Sequence, residues 1–180
     1  NRYILYVNGK VAGRGPARSS LWRWRFETIN LAAMLTKGKN HIAVKVWNMG
    51  KLKPVAQMTY QTGLIIQGNS GKEKMLNTNG SWKVTINKAY SFYKIDHLGK
   101  YYAVGPGEKF EAKLHPWQWQ TGVNAGWKNA RAGKNGMPMK GLTGTGLIHK
   151  QILYPREILA LEAKKQSFAE VRRTEGITDA

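Results

Sequence analysis

The first clear pattern of apolar and polar positions lies near the start of the chain. Residues 3–7 are apolar, aromatic or β-branched, which suits a half-buried strand. Asn8-Gly9 follows at once, and both residue types tolerate the positive φ of a type I′ turn. The pattern predicts a β-hairpin whose return strand covers residues 10–13. Because the chain starts directly on a strand, we expect it to be a piece of a larger protein.

The strongest alternation covers residues 41–47. Ile42, Val44 and Val46 fall on one parity, and Ala43, Lys45 and Trp47 fall on the other. A period of two residues is typical of a strand. We therefore predict a strand that presents the three β-branched residues on one face.

Other apolar runs are short, and glycine- or asparagine-rich turns separate them. Asn30 can cap a single helical turn over residues 31–35. Residues 74–76 and 82–86 are predicted to pair around a turn at 77–80, and 122–146 is predicted to be a long glycine-rich loop. Further strands are predicted at 26–29, 57–60, 64–67, 101–104, 111–114 and 147–153. Many short strands with almost no helical period predict an all-β fold, an antiparallel β-sandwich or jelly roll.

The end of the chain has a different character. Residues 156–173 carry charged residues between apolar ones, and the pattern fits either a short helix or an extended connector. We divide the chain into a β-domain at 1–155, which we expect to be shortened at its amino terminus, and a connector at 156–180.

The composition adds one unusual property, a net charge of +19 from 29 Lys and Arg against 10 Asp and Glu. Such a charge is typical of a protein that binds a polyanion, such as nucleic acid or an acidic polysaccharide. The basic residues are scattered, however, and no zinc-finger spacing or long basic block is present. The chain has no cysteine, which excludes disulfides and thiolate metal sites. No apolar run approaches the ~20 residues that span a bilayer, so we expect no membrane partner.

Several motifs, taken in order, carry a family resemblance. They are LYVNGKVAGRGP, FETINLAAMLTKGKNHIAVKVWN, NGSWKV, GPGEKFEAKLHPWQW, YPREI and FAEVRRTEGI, which together run over nearly the whole chain. This series resembles the amino-terminal β-sandwich of bacterial α-L-rhamnosidases, glycoside hydrolase family 78. A related pattern occurs in the sugar-binding-like sandwich of family 2 β-galactosidases.

The resemblance implies a galactose-binding-like sandwich that serves as an accessory domain. Catalysis in this family belongs to a later (α/α) barrel, which we expect to follow the connector. The implied partners are a plant or bacterial glycan that contains rhamnose and the following domains of the same polypeptide. The implied location is the bacterial periplasm or the outside of the cell.

The titratable residues favour a non-catalytic role. Glycoside hydrolysis usually needs two carboxylates that face each other across the bond to be cleaved. Glu108 and Glu111 are three residues apart, a spacing that places them on opposite faces of a strand. The four histidines are far apart, and only two aspartates are present. We therefore expect no catalytic residue, no metal site and no cofactor.

The aromatic residues are the candidate binding residues, since sugar rings stack on aromatic planes. Two Trp-x-Trp pairs would each share one face of a strand, and arginines alternate with the first pair. The candidate sugar-binding residues are therefore Trp22, Arg23, Trp24, Arg25, Trp117 and Trp119. The alternative is that these rings only cover the sandwich or dock a neighbouring domain. Trp47 and Trp82 lie in strand patterns and are predicted to be core residues.

Three hypotheses for function follow. The first is a carbohydrate-binding accessory domain of a rhamnosidase-like enzyme, the second is a basic β-domain that binds a polyanion, and the third is a free-standing lectin. Binding through phosphates or sulfates falls steeply with salt, whereas stacking on a neutral sugar barely changes.

Overall fold

The computed structural model describes residues 2–19, 24–50, 62–93, 107–122, 125–133, 137–138, 152–160, 162–167 and 169–170. Over these residues the chain forms short strands, and its helical segments are 3₁₀ turns of three or four residues at Ala32–Met34, Glu73–Leu76 and Ala112–Leu114. The all-β class is therefore confirmed for the described residues. The strands are β1 Arg2–Val7, β2 Lys10–Gly15, β3 Trp24–Phe26, β4 Ile42–Trp47, β5 Lys83–Val84, β6 Tyr90–Tyr93, β7 Gly107–Phe110, β8 Lys128–Asn129, β9 Met137–Pro138 and β10 Ile152–Pro155.

The predicted hairpin is confirmed. β1 and β2 pair antiparallel, and the turn residues Asn8 and Gly9 have φ of 50° and 80°. Two positive φ angles match the twist that a two-residue hairpin turn needs. The register shifts between Leu5 and Tyr6, a bulge that increases the local twist of the ribbon.

β4 joins the other side of β1 and completes a three-stranded antiparallel sheet of order β2-β1-β4. Leu5 lies opposite Val44, and Ile4 lies opposite Lys45. Because side chains alternate along each strand, Val44 and Leu5 share one face, while Lys45 and Ile4 share the other. The predicted alternation of residues 41–47 is confirmed.

Both faces of this sheet are covered, by different parts of the chain. On the Leu5 face, a side chain at Gly13 would collide with Ile29, so the segment after β3 packs closely against this face of the sheet. On the other face, the rings of Tyr6 and Trp119 meet edge to face with centroids 5.2 Å apart. Among the described residues, the buried apolar side chains are Leu5, Val7, Ala17, Ala43, Ala89 and Trp119. The core therefore lies on and around this sheet.

Three smaller sheets complete the described structure. β5 pairs with β8 and β6 pairs with β7, both antiparallel. β10 pairs with β3 and with β9 in parallel, so this sheet departs from the mostly antiparallel pairing that the sequence predicts. Parallel strands must be joined by a long crossover connection. A sequence pattern of short strands and local turns does not predict such a connection.

Several predicted strands are displaced or absent. The strand predicted at 26–29 is found earlier, at Trp24–Phe26. Residues 64–67 are not in a strand, and the segment predicted as a strand at 74–76 is the 3₁₀ turn Glu73–Leu76. Consequently β5 pairs with Lys128–Asn129 and not with 74–76. Asn77 and Asn79 direct this segment, because their side chains bond to the main chain of Gly68 and Ser81 and compete with a ladder.

The structure differs from the prediction in two other segments. The segment predicted as a strand at 111–114 contains instead the 3₁₀ turn Ala112–Leu114, which follows β7. The loop predicted at 122–146 contains β8 and β9. The single turn predicted at 31–35 is confirmed as Ala32–Met34, and the Asn30 carboxamide accepts a 2.9 Å hydrogen bond from the Ala32 N–H.

The connector contains no helix within its described residues, 156–160, 162–167 and 169–170, which favours the extended alternative. The strands predicted at 57–60 and 101–104 lie outside the described residues, as does most of 147–153. Among the described residues, no helix has the length and apolar character that a membrane crossing requires.

Candidate functional site

The main candidate site is a group of five side chains, Lys45, Tyr90, Phe110, His115 and Trp117, which we call the aromatic patch. Its ring centroids lie 5.0 Å apart for Tyr90 and Phe110, 5.4 Å for Phe110 and His115, and 4.7 Å for His115 and Trp117. The rings meet at tilted or edge-to-face angles, which aromatic pairs prefer to a face-to-face sandwich. They therefore form a connected cluster.

Strand pairing and one chain reversal assemble the patch. The register of β6 and β7 sets Tyr90 opposite Phe110. The 3₁₀ turn then reverses the chain, since Leu114 N–H donates to Glu111 O at 3.0 Å and His115 N–H donates to Ala112 O at 3.1 Å. This reversal returns His115 to the side of Phe110.

Trp117 is exposed and yet held in place. Its residue surface is 61% exposed, but its indole N–H donates a 2.9 Å hydrogen bond to Ala112 O. Its ring also meets those of His115 and Phe110 edge to face. A fixed, exposed indole can receive a flat apolar ligand surface with little loss of side-chain entropy.

Lys45 brings a positive charge to the patch from β4. Its Nζ donates a 2.9 Å hydrogen bond to the Tyr90 hydroxyl and lies 4.1 Å from the Tyr90 ring centroid. The Trp47 ring centroid is 5.9 Å away. The ammonium is therefore stabilised by two aromatic rings, and none of the ion pairs between described residues involves it.

His115 is the titratable ring of the patch. The Asn87 amide lies 3.0 Å from His115 Nδ1. When that amide donates, Nδ1 is the acceptor and the neutral ring carries its proton on Nε2. Partial burial, and secondly the charge of Lys45, lower the pKa of His115. The patch thus offers a neutral imidazole beside a cation.

The second predicted Trp pair does not share a face. Residues 117–120 lie in a turn, and Gln118 between the two rings has φ of 63°. Trp119 is only 7% exposed and packs on Tyr6, while Trp117 points to solvent. The geometric prediction for this pair is wrong because the left-handed residue breaks the strand-like alternation.

The first predicted Trp pair is only partly described. Trp22 and Arg23 lie outside the described residues. Trp24 is half-buried in β3. Arg25 donates a 2.6 Å hydrogen bond to Arg18 O and lies 3.7 Å from the Glu157 carboxylate, so its guanidinium links β3 to the connector.

Trp47 and Trp82 were predicted to be core residues, and both are half-buried. Trp47 lies near Lys45, as described above. Trp82 donates from its indole N–H to Asn77 O at 3.1 Å. Trp47 ends β4 of the central sheet and Trp82 immediately precedes β5, so each indole lies at the end of a strand and neither is fully buried.

A separate polar cluster surrounds Glu27. Its carboxylate accepts hydrogen bonds from the Tyr3 hydroxyl at 2.9 Å and from the Ala17 N–H at 2.8 Å, and it lies 3.4 Å from Arg156 Nη1. Burial, together with the charge of Glu27 and its hydrogen bond, raises the pKa of Tyr3. Donors occupy both carboxylate oxygens, so the cluster is arranged to hold segments together and not to move a proton.

Other chemistry has little support in the described residues. Glu111 lies beyond the end of β7 and pairs with Lys109 at 3.2 Å. No group of three or more His, Asp or Glu side chains in the described part of the chain could hold a metal ion.

Sequence reasoning missed four members of the patch, namely Lys45, Tyr90, Phe110 and His115. The alternation of residues 41–47 already placed Lys45 and Trp47 on one face. The closeness of His115 to Trp117 in sequence was a further signal. The register between β6 and β7, however, could not be deduced from local patterns.

Comparison of the chain with protein-family models, with curated proteins and with solved structures gave no match. The aromatic patch and the motif series are therefore the basis for a functional proposal.

Proposed function

We propose that this chain is a non-catalytic accessory domain of an α-L-rhamnosidase-like glycoside hydrolase, and that it binds a rhamnose-containing glycan at the aromatic patch. The ordered motif series supports the enzyme class. The observation that carries the binding site is the exposed but fixed indole of Trp117. Sites for sugars combine such an apolar platform with a few polar groups that orient the hydroxyls.

The surroundings of Trp117 provide these polar groups. His115 Nε2 next to Trp117 and the Lys45 ammonium next to Tyr90 are the donors of the patch, and the Asn87 amide fixes the orientation of His115. In this proposal the C–H face of a sugar ring stacks on Trp117, and its hydroxyl groups bond to His115 and Lys45.

The finer architecture belongs to the same proposal. The small sheets would form part of a galactose-binding-like sandwich or jelly roll over residues 1–155, and residues 156–180 would lead to the following domains. A bacterial periplasmic or secreted enzyme would be the setting.

Isothermal titration of the chain with neutral rhamno-oligosaccharides tests the site. We expect Trp117→Ala to weaken binding about tenfold or more, which corresponds to about 1.4 kcal/mol. Ile86→Ala is the matched control, because Ile86 is an exposed apolar residue outside the patch. Binding that survives Trp117→Ala would refute the proposed site.

Two further arms locate the site and test the role. Trp22→Ala and Trp24→Ala examine the other predicted Trp pair, and loss of binding in these variants alone would move the site there. The chain should not hydrolyse aryl α-L-rhamnosides. Turnover that persists through repurification and disappears in Glu108→Ala or Glu111→Ala would contradict a non-catalytic role.

The polyanion-binding alternative rests on the net charge of +19 and on the presence of Lys45 beside aromatic rings. Base stacking on single-stranded nucleic acid uses the same combination of rings and cations. Titration with single-stranded DNA separates the two functions, because the affinity for DNA should fall steeply with salt and that for a neutral sugar should not.

A further inference from the structure

The Lys45 ammonium is a cation without a carboxylate partner among the described residues, and it lies within the aromatic patch. We propose that the glycan bound at the patch is anionic, and that its carboxylate or sulfate group contacts Lys45. This inference rests on the proposed function and specifies the ligand class of the same site.

Lys45 is held in a fixed position by the sheet. Its register opposite Ile4 places it on the face that Tyr6 and Trp119 also occupy. Its contact with the Tyr90 hydroxyl uses one of the three N–H donors of the ammonium. Two donors remain for a ligand at the same edge of the patch.

Its aromatic surroundings set Lys45 apart from the ion-paired cations of the described residues. Arg25, Lys109, Arg156 and Lys164 each lie within 4.0 Å of a carboxylate oxygen. Lys45 instead lies near two aromatic rings, at 4.1 and 5.9 Å from their centroids. A half-buried cation in such surroundings attracts an anion more strongly than a fully solvated one does.

Uncharged groups around Lys45 fit a saccharide better than a bare anion. Burial and, secondly, Lys45 lower the pKa of His115, which favours its neutral form, and the Trp117 indole provides the stacking surface. The patch therefore combines one positive charge with an apolar platform and a neutral donor. A saccharide that carries an acidic group has all three complementary features.

The test compares two forms of one ligand. The charged form is an oligosaccharide that contains rhamnose and galacturonic acid, and the neutral form is the same oligosaccharide after methyl esterification of its carboxylates. We expect the charged form to bind the wild-type chain at least tenfold more tightly at moderate salt. The ratio of the affinity for the charged form to that for the neutral form should fall close to one in Lys45→Met. In Lys45→Arg this ratio should stay near the wild-type value.

Lys72→Met is the matched control, because it removes one exposed positive charge away from the patch and should keep the preference. Thermal melts of all variants identify any that are unfolded, and Lys45→Arg then remains as a folded test of charge. Equal binding of both forms through Trp117 would overturn this inference and leave the proposed function intact. Binding of neither form would overturn both.

A sulfated oligosaccharide of the same length and single-stranded DNA complete the experiment. If binding of the sulfated oligosaccharide depends on Lys45 as binding of the galacturonic acid form does, the result supports recognition of an anionic group. The site would then accept sulfate as well as carboxylate. Tighter binding of DNA, with the same dependence on Lys45 and Trp117 and a steep salt slope, would overturn a glycan ligand.

Discussion

The hydroxyl of Tyr3 donates a 2.9 Å hydrogen bond to Oε2 of Glu27, and this contact joins β1 to the segment that follows β3. Glu27 also meets Arg156 at the end of β10, and the two side chains are only 10% and 16% exposed. Arg156 in turn donates to the carbonyls of Ile158 and Leu159. One carboxylate thus connects the central sheet, the parallel sheet and the start of the connector.

We expect loss of this carboxylate to destabilise the fold strongly. Glu27→Ala leaves the Arg156 charge without its carboxylate partner and should lower the free energy of unfolding by about 3–5 kcal/mol. Tyr3→Phe removes one hydrogen bond and should cost about 1–2 kcal/mol. Urea denaturation measures both, with Glu162→Ala as the control, since Glu162 belongs to an exposed ion pair of small expected value. Equal effects of Glu27→Ala and Glu162→Ala would contradict this role.

The hairpin turn should be sensitive to a side chain at Gly9. Gly9 has φ of +80°, and a Cβ there would lie 2.8 Å from Thr121 Cγ2. Gly38 has φ of +89° with nothing within 4 Å of its Cβ position, so Gly38→Ala should cost only the backbone term of about 1–2 kcal/mol. We expect Gly9→Ala to lower the free energy of unfolding, measured by urea denaturation, by more than Gly38→Ala does.

The second-site change Thr121→Ser then tests the contact directly. Serine lacks Cγ2 but keeps the hydroxyl that donates to Gln118 O. In the Gly9→Ala background, Thr121→Ser should recover the stability lost beyond that of Gly38→Ala. No recovery would mean that the Thr121 contact is not responsible.

The two neighbouring tryptophans should respond in opposite ways to truncation. Trp119 is 7% exposed and packs on Tyr6, so Trp119→Ala should lower the free energy of unfolding by about 3–5 kcal/mol. Trp117→Ala removes an exposed ring and should change it by less than about 1 kcal/mol. Chemical denaturation gives both values, and a large loss in Trp117→Ala would show that its role is structural.

The stability of the chain should depend on pH through His115. Its pKa is lowered in the folded state, so between the folded value and the unfolded value of about 6.5 the unfolded chain binds more protons. Stability is therefore complete above about pH 6.5 and falls as the pH decreases through the folded pKa. His115→Gln should remove this component of the pH dependence.

Melting temperatures measured across this pH range for wild type and His115→Gln check the prediction. His41→Gln serves as the comparison, since His41 bonds to Trp119 O and not to the patch. Parallel curves for wild type and His115→Gln would contradict the prediction.

The sequence by itself determined the features that depend on near neighbours. Asn8-Gly9 specifies the hairpin because the positive φ of its turn suits these two residue types. The alternation of residues 42–47 specifies β4 because successive side chains of a strand point to opposite faces. Two faces with different surroundings therefore select different residue types at alternate positions. Asn30 specifies a single turn because its side chain bonds two residues ahead.

The tertiary structure alone decided which distant residues meet. Tyr90 lies opposite Phe110 because of a strand register, and Lys45 reaches Tyr90 from a different sheet. The positive φ of Gln118 directs Trp117 to solvent and Trp119 to the core. The local pattern had predicted that both rings share one face of a strand. Pairing, register and chain reversal depend on the packing of the whole chain, and local preference does not fix them.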